Sequence, residues 1–147
     1  MFFDDFAQGQ RFQTGSRTIT EAEIIAFAGE WDPQSFHTDP AAAASSSYGG
    51  IIASGFHTLL VAFRLVLEAD VWTEASQGGP GIEDLRWLKP VRPGDTLSVE
   101  MEVTAVRPSS RLEDRGYVTL EYTILRQGEE VVATWRAAVI LLKRPQP

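Results

Sequence analysis

Two different periodicities divide the chain near residue 82. Before it, apolar residues recur at the three- and four-residue spacing of amphipathic helices, which predicts helices over residues 21–30 and 54–68. After it, apolar and polar residues alternate, as they do in half-buried strands. The predicted strands cover residues 11–17, 82–89, 97–104, 118–125 and 130–142. We therefore expect an α+β fold in which a curved antiparallel sheet wraps around one long helix, with successive strands paired as a meander.

Local signals set the ends of the predicted helices. Asp32-Pro33 ends the first helix, because proline disfavours helical geometry in the residue before it. Asp39-Pro40 predicts the start of a short helix over residues 41–44, and Ser54 is placed to cap the long helix. The long helix has a broad apolar stripe and few charges opposite it, so we expect protein to surround it.

Composition narrows the class of protein. The chain has 147 residues, of which 44% are hydrophobic and 22% charged, which fits one globular domain with its own core. A net charge of −7 repels phosphates, so neither a nucleic acid nor an anionic membrane is an expected partner. With no cysteine and two histidines, we expect neither a disulfide nor a metal site. No signal peptide or long apolar run is present, so we expect a soluble cytoplasmic protein.

The first candidate site lies in the segment that follows the first predicted helix. Asp32 and His37 stand five positions apart there. A carboxylate and an imidazole can together hold a water, remove its proton and return a proton elsewhere. Aspartate before proline is also a common turn residue, and a lone histidine beside Phe36 can be structural. Spacing alone favours the structural interpretation, because short motifs often match by chance.

The second candidate site is the start of the long helix. Backbone N–H groups at a helix N-terminus are unpaired and the helix dipole is positive there, so Gly55 could donate to a carbonyl oxygen that gains negative charge. Glycine would also let a ligand approach the backbone closely, although a Ser-Gly pair is an ordinary helix start. Basic residues near the mouth between sheet and helix could bind ligand phosphates. The further residues predicted to contact a ligand are Ser54, His57, Thr58, Lys89 and Arg92.

Three blocks of the sequence resemble the MaoC-like dehydratases, which are hotdog-fold proteins related to the (R)-specific enoyl-CoA hydratases. The blocks are DPQSFH at residues 32–37, GIIASGFHT at 50–58 and LRWLKPVRPGDTL at 85–97. Three blocks in the same order are far more specific than any one of them. The resemblance therefore favours the catalytic interpretation of Asp32 and His37 over the structural one.

The resemblance implies both a fold and a reaction. It implies that residues 1–147 form one hotdog domain around a central helix, and that two copies form a homodimer with the ligand tunnel near their interface. It implies reversible hydration of a trans-2-enoyl-CoA to an (R)-3-hydroxyacyl-CoA, with no cofactor beyond the CoA of the substrate. The family's water-binding aspartate and histidine fall on Asp32 and His37, and its oxyanion-binding glycine falls on Gly55.

The chain departs from the common family pattern at three places. No asparagine stands between the aspartate and the histidine, where Gln34 is the candidate to fill a supporting role. Ser54 replaces a histidine that many members have before the glycine, and Phe63 replaces a serine further along the helix. Other functions therefore stay open: a hotdog thioesterase that releases free CoA, a non-catalytic subunit that binds an acyl thioester and, more distantly, a serine esterase. The thiol carrier is either CoA or an acyl-carrier protein.

Overall fold

The computed structural model describes residues 1–147 and follows the predicted division into a helical and a β half. Two single 3-10 turns, Phe3–Asp5 and Thr73–Ala75, accompany the regular elements. In chain order the elements are β1 (Arg11–Thr18), α1 (Glu21–Trp31), α2 (Ser35–Thr38), α3 (Pro40–Ala44), α4 (Gly55–Glu68), β2 (Glu83–Trp87), β3 (Thr96–Pro108), β4 (Arg115–Arg126) and β5 (Glu130–Leu142).

The five strands form one antiparallel sheet in the order β1-β3-β4-β5-β2. Strands β3, β4 and β5 form the predicted meander. The turn between β4 and β5 has positive φ at Gln127 (52°) and Gly128 (70°), the geometry that suits the right-handed twist of a tight hairpin.

The prediction that successive strands pair is wrong for β2, which lies beside β5 at the far edge of the sheet. Residues 88–95 connect it to β3 across the ends of β5 and β4. That crossing is roughly 14 Å, three strand spacings, and eight extended residues reach about 26 Å. Backbone hydrogen bonds hold the crossing segment on both sides: Leu88 N donates to Val132 O (2.9 Å) and Ala53 N donates to Val91 O (2.8 Å).

One hydrophobic core joins α4 to the sheet. Ala62, Leu65 and Val66 of α4 are buried in the same cluster as Val99 and Met101 of β3. A helix held against a curved antiparallel sheet is the arrangement expected of a hotdog fold. At 14 residues α4 is the longest helix, and none of the helices has the length and apolar character needed to traverse a bilayer.

One side of α4 is uncovered, so the expectation that protein surrounds this helix is wrong for the single chain. The rings of Phe56 on α4 and Trp87 on β2 meet edge to face at 5.4 Å, which joins the exposed side of the helix to the exposed residues around β2. We call this exposed apolar surface the α4–β2 face, and it comprises Phe56, Leu60, Phe63, Ile82, Trp87 and Leu88.

Candidate active site

A single helical turn brings Asp32 and His37 together. Asp32 caps the end of α1, where its N–H donates to Ala28 O at 2.9 Å. The next residues form α2, which carries His37 and turns its ring back, so that Nε2 lies 3.3 Å from Asp32 Oδ2. Periodicity did not predict α2, because four residues are too few to show a helical pattern. The two candidate catalytic side chains are thus in contact.

The hydrogen bonds of His37 assign its tautomer. Its Nδ1 lies 2.6 Å from the carbonyl oxygen of Ile52, which can only accept, so Nδ1 carries a proton and donates it. In the neutral ring Nε2 is then an acceptor facing the acceptor Oδ2 of Asp32. Two acceptors at this distance can share only a proton or a donor such as a water O–H. The pair is therefore built to hold one exchangeable proton.

The surroundings keep Asp32 ionised. The pKa of Asp32 is lowered, chiefly by a hydrogen bond from Gln34 Nε2 to Oδ1 (2.7 Å), against the opposing effect of burial. The Ser54 hydroxyl and the His37 ring lower it further. Gln34 thus occupies the supporting position for which the sequence made it a candidate.

The start of α4 differs from the prediction in two details. Ser54 is the N-cap residue, but its hydroxyl makes no capping hydrogen bond. Gly55 is in close contact with the indole of Trp87, since a Cβ at residue 55 would lie 2.2 Å from Trp87 Cε2. Glycine is therefore required here by the neighbouring side chain rather than by its backbone angle. Trp87, and not a ligand, fills the space beside the Gly55 α-carbon.

A cavity of about 470 Å³ joins the Asp32–His37 pair to the beginning of α4. This volume lies within the usual range for small-molecule sites. The cavity is lined by apolar side chains together with a small number of polar groups, as ligand sites usually are. We call it the catalytic cavity, and its lining includes Asp32, Gln34, His37, Gly55, Thr58, Trp87 and Lys89.

Two of the other predicted contact residues line the catalytic cavity. Thr58 is almost fully buried against it. Lys89 also lines it and forms an ion pair with Glu130 of β5. Ser54, whose side chain is completely buried, lies behind the cavity wall between the lining residues Ala53 and Gly55.

The remaining two predicted contact residues lie elsewhere. His57 stacks on Phe27 of α1, with ring centroids 4.6 Å apart and planes 9° from parallel. Burial lowers the pKa of His57, and its Nδ1 has no hydrogen-bond partner. Arg92 donates to the carbonyl oxygen of Tyr48 at 2.7 Å and does not line the cavity.

Sequence reasoning missed two features of the site. Trp87 lies within a matched block, but only the register of β2 against β5 brings it to Gly55. The Ile52 carbonyl that fixes the His37 ring is a backbone atom, so no residue type signals it.

Comparison with known proteins identifies the family of the chain. Residues 5–123 match the family described as MaoC like domain. A Bacillus subtilis (strain 168) protein, uncharacterized protein YdeM, is 33% identical over 141 residues, which cover 96% of this chain and 99% of the relative. The (R)-specific enoyl-CoA hydratase of Aeromonas caviae is 32% identical over 133 residues, 86% of this chain and 89% of the relative.

The chain also resembles a solved structure of a MaoC-like dehydratase. The crystal structure of a MaoC-like dehydratase from Rhodospirillum rubrum superimposes with a TM-score of 0.92 at 41% identity, covering 99% of both chains. The expected hotdog fold is confirmed by such neighbours. Since the family match covers most of the sequence, the chain belongs to the MaoC-like domain family.

Proposed function

We propose that the protein catalyses the reversible hydration of a trans-2-enoyl-CoA thioester to an (R)-3-hydroxyacyl-CoA thioester. The observation that carries the proposal is the contact between Asp32 Oδ2 and His37 Nε2 in the wall of a cavity that reaches Gly55. The kinship with proteins described as (R)-specific enoyl-CoA hydratases supports this class of reaction.

The start of α4 would bind the thioester carbonyl. Gly55 is the first residue of α4, so its N–H has no partner within the helix and can donate to the carbonyl oxygen. Hydration moves negative charge onto that oxygen, and the positive end of the helix dipole stabilises the charge as it develops. The carbonyl is thereby polarised, and the β-carbon becomes open to attack.

The Asp32–His37 pair would bind and activate the water. The water donates one O–H to His37 Nε2 and the other to Asp32. These two hydrogen bonds direct a lone pair of the water oxygen at the β-carbon. As the C–O bond forms, Nε2 takes one proton, and the Asp32 carboxylate stabilises the imidazolium. The imidazolium then gives that proton to the α-carbon. The water oxygen and its second hydrogen remain on the product as the 3-hydroxyl, and His37 returns to its neutral form.

Lys89 is the proposed contact for the CoA phosphates. It is the basic residue of the catalytic cavity, and its ion pair with Glu130 lies on the surface, where such pairs contribute little stability. An incoming phosphate can therefore replace Glu130 at small cost. The acidic excess lies elsewhere, on exposed strand residues such as Glu100 and Glu121.

A second copy of the chain is the proposed partner, seated on the α4–β2 face. Strand β2 is an edge strand with one side unpaired, and edge strands readily pair with a copy of themselves. Glu83 and Asp84 begin β2 and Arg86 lies near its end, so antiparallel pairing about a two-fold axis brings opposite charges together. Light scattering should give twice the chain mass of 16.2 kDa, and Leu60→Glu should give the single-chain mass. A single-chain mass for the unaltered protein would rule out this partner.

The test of the proposed reaction is a panel of trans-2-enoyl-CoA thioesters that vary in length and branching. Loss of the conjugated thioester absorbance without free thiol, and with an (R)-3-hydroxyacyl product, supports the proposal. Release of free thiol would instead identify a thioesterase. Tight binding of the thioesters with no turnover would identify a binding subunit.

A further inference from the structure

Ser54 is an N-cap residue whose hydroxyl does not cap its helix. Serine at this position ordinarily accepts a hydrogen bond from an N–H of the first turn, but the Ser54 side chain makes no such bond. The side chain is completely buried, and its Oγ has no hydrogen-bond partner. Burying a hydroxyl without a partner is unfavourable, so a buried serine in this state calls for a specific explanation.

The backbone before Ser54 is fixed against the catalytic pair. Ile52 N donates to Phe36 O at 3.1 Å, and Ile52 O accepts from His37 Nδ1 at 2.6 Å. Ala53 N donates to the carbonyl oxygen of Val91 in the crossing segment. The position of the Ser54 Cβ is therefore set by α2 and by the crossing segment, and the main freedom left to the hydroxyl is rotation.

The Asp32 carboxylate has room for a further donor. Gln34 Nε2 donates to its Oδ1, and His37 Nε2 faces its Oδ2. An ionised carboxylate has about four acceptor positions, so these contacts leave some free. Ser54 stands between Ile52, whose carbonyl holds the His37 ring, and Gly55, which lines the same cavity as Asp32, and its unpartnered hydroxyl is among the groups that lower the pKa of Asp32.

We propose that Ser54 is a positioning residue whose hydroxyl donates to the Asp32 carboxylate in the working enzyme instead of capping α4. This inference rests on the proposed hydratase function. The contact would hold the carboxylate in the orientation that directs the water at the β-carbon. The hydroxyl would then not accept from the N–H groups of Phe56 or His57, the donors that an N-cap serine ordinarily bonds.

The proposal predicts a change in the titration of Asp32. A donor to the ionised form favours that form, so removing the Ser54 hydroxyl should raise the pKa of Asp32. His37 is the titratable group that acts on this carboxylate, and it is unchanged by the substitution. Lys89, which lines the same cavity, is paired with Glu130.

The kinetic test compares Ser54→Ala with Ser54→Thr, which keeps a hydroxyl. Ser54→Ala should lower kcat about tenfold, the effect of one hydrogen bond to a charged group, with little change in KM. The acid limb of its profile of kcat against pH should move to higher pH, and Ser54→Thr should restore that limb. A Ser54→Ala variant with unaltered kcat and pH profile would overturn the proposal.

The second test does not depend on activity. Carbon-13 NMR of the Asp32 carboxyl in protein without substrate should show a higher titration midpoint in Ser54→Ala. Ser46→Ala is the matched control, because its hydroxyl bonds Ala43 O at 2.6 Å at the end of α3, and it should leave the midpoint unchanged. An unchanged midpoint in Ser54→Ala overturns the inference. If the unaltered protein hydrates no enoyl thioester, the proposed function fails separately, and the NMR result still decides the role of Ser54.

Discussion

Two cavities of nearly equal volume lie against α4, and their chemistry differs. The catalytic cavity, about 470 Å³, lies at the start of the helix. The second, about 490 Å³, lies further along it, and its lining includes Leu59, Phe63, Trp72, Tyr122 and Trp135. We call it the aromatic cavity. Volume alone does not distinguish them.

The polar groups of the two cavities separate them. The catalytic cavity brings a carboxylate with a lowered pKa, an imidazole and the uncapped start of a helix to one place. In the aromatic cavity the rings of Tyr122 and Trp135 stack at 4.3 Å, and burial raises the pKa of Tyr122 to about 12. Burial thus favours the neutral form of Tyr122. Convergent polar groups, and not size, identify the reactive site.

The largest expected difference between the cavities is in turnover. Asp32→Asn keeps the size of the side chain but removes the charge that stabilises the imidazolium, so kcat should fall by ~10²–10⁴-fold. Tyr122→Phe, the matched change in the aromatic cavity, removes one hydroxyl and should leave kcat within a few-fold. Steady-state kinetics on an enoyl-CoA would check both. Equal losses of kcat in Asp32→Asn and Tyr122→Phe would contradict the distinction between the two cavities.

The next largest effect is on stability, and it should fall on the aromatic cavity. Trp135 is buried and stacked on Tyr122, so Trp135→Ala should lower the free energy of unfolding by about 3–5 kcal/mol. The activity per folded molecule should persist, because Trp135 does not line the catalytic cavity. Urea unfolding and active-site titration measure the two quantities. A stable but inactive Trp135→Ala would contradict the account.

Disturbing the contact between Gly55 and Trp87 should have a smaller effect on the free energy of unfolding. A Cβ at residue 55 collides with the Trp87 ring, so Gly55→Ala should cost about 1–3 kcal/mol as an overpacked site. Trp87→Ala makes room, so the double variant should be more stable than the sum of the single changes predicts. Gly29→Ala, in α1 with nothing near its Cβ position, is the control and should be neutral or stabilising. If the stability losses of Gly55→Ala and Trp87→Ala simply add in the double variant, the result would contradict this contact.

The smallest effect concerns His57, on the α1 side of α4. Its folded-state pKa is lowered from 6.5 by burial, so below that pH the unfolded chain binds a proton that the folded chain does not. Stability should therefore be highest above about pH 6.5 and should decline as the pH falls through the lowered folded-state value. His57→Leu cannot bind this proton and should show a weaker decline in urea unfolding between about pH 8 and pH 5.5. An identical decline of stability in His57→Leu and in the unaltered protein would show that burial does not lower the pKa of His57.

Much of the fold could be predicted from local sequence. A run rich in Val, Ile and Trp predicted β5 at residues 130–142, and helical spacing with an N-cap serine predicted α4 to within one residue. The place of β2 could not be predicted, because it depends on pairing with β5, a strand more than forty residues away. Pattern within a strand says nothing about which strand lies beside it.

The same limit applies to the candidate site. The residue types made Asp32 and His37 a candidate acid–base pair, the resemblance to the MaoC-like dehydratases favoured that interpretation over a structural one, and the structure places the two side chains in contact. Gln34 was the support that the sequence indicated. The Ile52 carbonyl and the Trp87 ring could not be predicted, since they reach the site only through tertiary packing. His57 illustrates the converse: it is two residues from Gly55 in sequence, yet the turn of the helix directs it to Phe27.

The central claim is that Asp32 and His37 deliver a water to the β-carbon of an enoyl thioester. The most direct measurement is mass spectrometry of the products formed in oxygen-18 water by the unaltered protein and by Asp32→Asn. We expect the label in the 3-hydroxyl of an intact thioester, formed rapidly by the unaltered protein and at least about 10²-fold more slowly by Asp32→Asn. Label in a free carboxylate, or equal rates from the two proteins, would contradict the claim.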